Sequence, residues 1–196
     1  MQTAHKILDP IRPISREKIC ALAIMTKAPR AGQVKTRLQP PLTPQEAAQL
    51  NICFLRDTAA AIKSARGSEA IGVGVFTPIG SEAAYGDILP RDFELLPQRG
   101  EEFGDRLAFA VDDLFRCGFG SVCLIDSDSP TIPSDIYAEA VACLARPGDR
   151  VVLGPSDDGG YYLIGLKQNH RELFDGIEWS TEHVLDQTIE RARQSK

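Results

Sequence analysis

Two aspartates, Asp126 and Asp128, stand one residue apart where the apolar run Val122 to Ile125 stops, with Ser129-Pro130 behind them. Carboxylates are hard oxygen donors that suit Mg or Mn, and these ions also coordinate the oxygens of a substrate diphosphate. In an extended tail the two side chains point to opposite sides, so a shared metal needs a bend or a bridging water. Pro130 and Pro133 can supply the bend. The same triplet is also the pattern of a solvated Asx turn closing a strand.

Four other groups carry potential chemistry. The loop Lys27-Ala-Pro29-Arg-Ala-Gly32-Gln-Val-Lys35-Thr36-Arg37 follows an apolar strand directly, where a phosphate loop would sit. It matches neither the dinucleotide fingerprint nor the Walker pattern. With one glycine it cannot wrap its backbone round phosphates, so it must use Lys35 as a point charge and Arg37 as a bidentate fork. That predicts a nucleoside diphosphate or triphosphate tail at this strand's end. In Gly154-Pro-Ser-Asp-Asp158-Gly159-Gly160-Tyr161-Tyr162, Asp158 precedes two glycines that let backbone approach a ligand. It is a candidate metal ligand or general base toward an acceptor hydroxyl, against the alternative of a tight Asp-Gly turn. Gly100, Gly104 and Arg106 flank a predicted helix start at Phe103, whose free N–H groups suit an anion. Trp179, the sole tryptophan, precedes a probable cap at Ser180 or Thr181 and is a core residue unless it lines the pocket.

The elements that must position these groups alternate strand and helix. Ile19 to Met25 is a continuous apolar run, the mark of a central strand covered on both faces. Thr43-Pro44-Gln-Glu46 is a helix start with a capping box, and apolar spacing carries the helix to about Ala65 before Gly67. Strands are expected at Ala70 to Phe76, Phe93 to Leu96, Val122 to Ile125, Val151 to Leu153 and Tyr161 to Leu166. Helices are expected at Phe103 to Cys117, at Ser134 to Leu144, and from just after Ser180 or Thr181 toward Arg191. This predicts one three-layer Rossmann-like α/β domain over residues 18 to 196, with a mostly parallel sheet. The polar, proline-punctuated residues 1 to 17 read as a flexible arm.

Composition narrows the partners. The chain has 196 residues, enough for one core. No apolar run reaches the length of a membrane span and the start lacks a signal-peptide core, so the cytoplasm is the expected compartment. Five cysteines without CxxC spacing read as reduced core residues. The net charge of −5 argues against nucleic acid as a partner. From Lys18 to Gln45 there are five basic residues and no acid, so the rest of the chain carries −10, and the basic island suggests a local anion site.

Taken together, Lys27-x-Pro29-x-x-Gly32-x-x-Lys35-Thr36-Arg37-Leu38, Gly104-x-Arg106, Ser127-Asp128-Ser129-Pro130, the segment Gly154 to Leu166 and Trp179-Ser180-Thr181 resemble a bacterial family of small glycosyltransferase-A-like proteins. That family is associated with radical-SAM enzymes or arsenosugar biosynthesis, and its members are similar in outline to guanylyltransferases that activate phospholactate or phosphoglycerate. The resemblance covers nearly everything from Ile19 onward. It implies a nucleotide-diphospho-sugar transferase fold that binds a nucleotide with Mg or Mn. It further implies phosphate contacts for Lys35 and Arg37, metal for Asp128, and the acceptor or second metal face for Asp158, Gly159 and Gly160. The family often has glycine where this chain has Asp126, so the resemblance supports Asp128 more than Asp126. The expected function is transfer of a sugar from a nucleotide-diphospho-sugar to a small acceptor. The alternatives are nucleotidyl transfer from a nucleoside triphosphate and a non-catalytic nucleotide-binding module. Both transfer expectations need Lys35 and Asp128 to meet at one end of the sheet.

Overall fold

The apolar run near the amino terminus becomes the centre of the sheet because both its faces are covered. In the computed structural model, which describes residues 5 to 195, the chain runs β1 (Lys6–Ile7), β2 (Arg16–Lys27), α1 (Pro44–Ala65), β3 (Ala70–Thr77), β4 (Glu94–Pro97) and α2 (Phe103–Arg116). It continues through β5 (Phe119–Ile125), α3 (Ser134–Ala145), β6 (Val151–Pro155), β7 (Tyr161–Leu166) and α4 (Val184–Gln194). The strands form a single sheet in the order β1-β4-β3-β2-β5-β7-β6. Pairing is parallel from β1 through β5 and antiparallel at β5-β7 and β7-β6. The mostly parallel α/β sheet expected from the sequence is therefore present.

Alternation along β2 sorts the two cores. Cys20, Leu22 and Ile24 pack with Leu55 and Ile62 of α1 and with Tyr137, Val141 and Leu144 of α3. Ala21 and Ala23 point the other way, toward Leu107, Val111 and Leu114 of α2. Small residues on that face let α2 lie close to the sheet. The start of α1 is fixed as its sequence predicts. The Glu46 amide donates to Thr43 Oγ1, and the Thr43 amide donates to the Glu46 carboxylate at 2.8 Å. A Cβ on Gly72 of β3 would lie 2.3 Å from the Phe93 ring, so the glycine admits a buried aromatic against the strand.

Three expectations need correction. Residues 5 to 17 are not a free arm. Lys6 and Ile7 pair with Glu94 and Leu95 of β4, His5 is buried with its ring nitrogens on the carbonyls of Phe93 and Tyr85, and β2 itself begins at Arg16. Glu94 holds this segment down, bridging both Lys6 and Arg16. The first four residues of the expected arm lie outside the described residues. The last helix begins at Val184 and not directly after Ser180 or Thr181, because Ser180 takes a left-handed backbone (φ 65) and breaks the helical path. Cys53, read as a core residue, is exposed on α1.

Candidate active site

β2 and β5 are parallel neighbours, so the loops that follow them leave the same end of the sheet side by side. From β2 the chain moves outward to β3 and β4 and then returns to β5 on the other side. The β2/β5 boundary is thus the point where strand order reverses, the usual ligand crevice of open α/β sheets. Here Lys35 and Asp128 meet in an ion pair. The Lys35 ammonium also donates to the Ser127 carbonyl at 3.2 Å and lies 4.5 Å from the centre of the Phe54 ring of α1. The Lys35 side chain is only 9% exposed, whereas that of Asp128 is 70% exposed, so the carboxylate stays open to a ligand after Lys35 has reached it. Lys35 adopts a left-handed backbone (φ 49, ψ 37) just before the 3-10 turn Thr36–Leu38. That conformation is unfavourable for a residue with a Cβ, and it is held where the ammonium crosses between the two loops.

Asp126 behaves differently from Asp128. One of its oxygens accepts from the amides of Asp128 and Ser129, and the other from the Ser129 hydroxyl at 2.8 Å. Burial pushes its carboxyl up, and the hydrogen bonds from Ser129 and Asp128 only partly offset this. Both oxygens of Asp126 therefore close the turn read above as the alternative to a metal site, and a metal there would have to displace those bonds. Asp128 keeps Oδ2 without a hydrogen bond among the described residues.

Above this end of the sheet lies a cavity of about 490 Å³. Arg37, Asp126, Asp128, Asp158, Trp179 and Glu182 are among its lining, over an apolar floor that includes Met25, Leu124 and Ile164. β7 runs antiparallel to β5, so its beginning faces this end, and the loop between β6 and β7 delivers Asp158. Asp158 Oδ1 accepts from the Ser156 hydroxyl at 2.5 Å and the Gly160 amide at 3.0 Å. These bonds hold its carboxyl below the usual range, so it is ionised near neutral pH and a weak base. The loop is clamped from behind: the Leu185 amide donates to the Gly159 carbonyl, and a Cβ on Gly159 (φ 83) would lie 2.2 Å from the Glu182 carbonyl oxygen. Trp179 lines the cavity and packs edge to face on Phe103, centroids 5.1 Å apart. Gly104 makes room for it, since a Cβ there would lie 2.6 Å from the indole nitrogen.

The structure thus brings Lys35, Arg37, Asp126, Asp128, Asp158, Gly160 and Trp179 to one place. Lys27 at the end of β2 and Pro29, Gly32 and Thr36 in the basic loop do not line the cavity, and Gly104 and Gly159 support it from behind. Arg106 is a correction. Its guanidinium donates to the carbonyls of Gly100 and Glu101, so it braces its own loop instead of facing an anion in the cavity. Phe54, Ser156 and Glu182 were not singled out from the sequence. An aromatic at helical spacing, a loop serine and an exposed glutamate carry no signal until the fold sets them against Lys35, Asp158 and the cavity. Among the described residues no three His, Cys, Asp or Glu side chains form a cluster able to hold a metal alone.

A parallel-centred sheet whose basic and acidic loops converge at the switch point is a fold of the nucleotide-diphospho-sugar transferase type. Over 92% of its length the chain is similar to a protein of Desulfovibrio desulfuricans G20 put forward as a nucleotide-diphospho-sugar transferase, with 28% identity, a TM-score of 0.80 and 77% of that protein covered. A cytidylyltransferase of Leptospira borgpetersenii shares the fold alone, with a TM-score of 0.52 at 11% identity over 91% of this chain and 74% of the other. The chain belongs to the family described as an uncharacterized protein conserved in bacteria (DUF2064), whose profile matches residues 58–181 and so includes Asp128, Asp158 and Trp179. No curated protein matches the sequence. No helix among the described residues is long and apolar enough to cross a membrane.

Proposed function

We propose that this protein is a transferase that uses a nucleotide-activated donor, moving a sugar from a nucleotide-diphospho-sugar to a small acceptor. The observation that carries the reading is the Lys35–Asp128 pair at the strand-order reversal, beside a cavity that also holds Arg37 and Asp158. The 28% identical protein put forward as a nucleotide-diphospho-sugar transferase supports it. In the transfer, the bond from the sugar's anomeric carbon to the diphosphate oxygen breaks, a bond from that carbon to the acceptor oxygen forms, and the acceptor proton passes to the departing diphosphate. Lys35 and Arg37 supply fixed positive charge where the leaving diphosphate gains negative charge, in a site where preorganised charge acts strongly. Asp158, ionised and with Oδ2 unbonded among the described residues, accepts a hydrogen bond from the acceptor and orients it; its depressed pKa makes it poorly suited to removing the proton.

Mg or Mn fits this site as an ion completed by substrate. Asp128 offers one free carboxylate oxygen at the strand tip, and Mg commonly binds through one or two carboxylates plus substrate phosphates. A divalent ion held by Asp128 would neutralise diphosphate charge. A non-catalytic module would be favoured if Asp128 and Asp158 were far apart or sealed in salt bridges; instead both are exposed on one cavity. Calorimetric titration with nucleotides and Mn tests the reading. Asp128→Ala is expected to abolish metal-dependent nucleotide binding while the melting temperature stays near that of the parent. Lys35→Ala is expected to weaken diphosphate forms far more than nucleosides. Unchanged titrations for both variants would remove the basis of the proposal, and release of pyrophosphate instead of nucleoside diphosphate on turnover would replace sugar transfer by nucleotidyl transfer.

A further inference from the structure

The side of the cavity contributed by residues 156 to 184 carries a different charge from the side contributed by the basic loop. Four carboxylates line the cavity. Asp126 is engaged in its own turn and Asp128 by Lys35. Among the described residues no cation pairs with Asp158 or Glu182: Asp158 is held by Ser156 and Gly160, and the exposed Glu182 carboxylate makes no hydrogen bond or ion pair. Arg37, from the loop after β2, is the sole basic residue in the lining among the described residues. The same side presents aromatic surface. Trp179 and Phe103 stand edge to face, Phe103 is 53% exposed, and Tyr161 and Tyr162 complete the wall.

We propose that this side of the cavity takes an acceptor bearing a positive charge, an amine or a quaternary ammonium, seated against Trp179 and Phe103 and countered by Asp158 and Glu182. The inference rests on the transferase reading and names the acceptor class for it. Aromatic faces attract cations through the ring quadrupole, and more strongly when water is excluded. Uncompensated carboxylates add Coulomb attraction in a partly desolvated recess. A phosphorylated acid in the same place would set like charges against Asp158 and Glu182, so anionic acceptors of the phospholactate or phosphoglycerate kind are disfavoured here.

Trp179 is the only tryptophan, so its fluorescence in the full chain reports on this wall directly. The experiment titrates choline, its uncharged carbon isostere dimethylbutanol, and phosphoglycerate. Choline is expected to give a saturable change, with the isostere weaker by about tenfold, the size of a desolvated cation–π contact. Glu182→Gln is expected to weaken choline about threefold and leave the isostere unaffected, as loss of one partly screened charge would. Equal binding of choline and isostere, tighter binding of phosphoglycerate, or no response to choline would each overturn the inference. A parallel thermal-shift titration with nucleotide sugars separates the two claims. Intact nucleotide binding without charge discrimination sinks the acceptor inference alone, and charge discrimination without nucleotide binding sinks the transferase reading, leaving a cation site that is not an acceptor site.

Discussion

Lys35 combines an unfavourable backbone with a well-held side chain. Its φ of 49 costs about 1 kcal/mol for any residue with a Cβ, and its ammonium is fixed by Asp128, the Ser127 carbonyl and the Phe54 ring. Strain that persists because its surroundings over-determine it is characteristic of ligand sites. Lys35→Gly should therefore be more stable than Lys35→Ala by about 1 kcal/mol, because glycine adopts the left-handed conformation freely. Both variants should lose diphosphate binding alike. Urea denaturation of the pair checks this, and a less stable glycine variant would show that the conformation carries no strain. At this scale the sequence disclosed the charges and not their neighbours. Lys35 and Asp128 were legible because loops after adjacent parallel strands must emerge together. For Asp126 and Arg106 the sequence does not separate the two roles, because a side chain that bonds its own loop has the same sequence signature as one that faces a ligand.

The loop between β6 and β7 places Asp158, and its position depends on the segment leading into α4. Gly159 has φ 83 and sits against the Glu182 carbonyl, so it joins the loop to the stretch that carries Trp179 and Glu182. Gly159→Ala adds an unfavourable conformation to a close contact and should cost about 2 kcal/mol or more. It should also disturb the Trp179 wall while leaving the loop after β2 in place. Fluorescence should then lose its response to choline, while nucleotide sugars still raise the melting temperature. Loss of both responses together would show that the two sides of the cavity are not independent. Longer elements were legible where local signals agreed with the fold, as in the capping box of α1 and the uninterrupted apolar run of β2. β1 was not, because a two-residue strand has no periodicity and its partner Glu94 lies far along the chain.

At the scale of the whole molecule, two ion-pair clusters tie peripheral segments to the sheet and titrate in opposite directions. Glu94 binds Arg16 through two hydrogen bonds, at 2.5 and 2.8 Å, and Lys6 at 2.9 Å. Burial pushes its carboxyl up, but Arg16 and Lys6 outweigh burial and hold it below the usual range. Its contribution is present above the unfolded pKa of about 4.3 and is lost as pH falls through the lower folded value. His170 lies 2.5 Å from Asp149 and 3.0 Å from Glu172. Burial pushes the imidazole down, but the two carboxylates outweigh it and raise the folded pKa. Its contribution is complete below the unfolded value of about 6.5 and is lost as pH rises through the higher folded one. Arg16→Ala leaves a largely buried carboxylate with Lys6 as its remaining cation and should cost about 2 kcal/mol near neutral pH, with the loss shrinking in acid as Glu94 protonates. His170→Gln should cost most below about pH 6.5 and progressively less in alkali. Denaturation midpoints of the parent and both variants across the pH range check the two limbs together. A penalty for Arg16→Ala that persists unchanged in acid, or one for His170→Gln that grows with pH, would show that these clusters do not set the limits of stability.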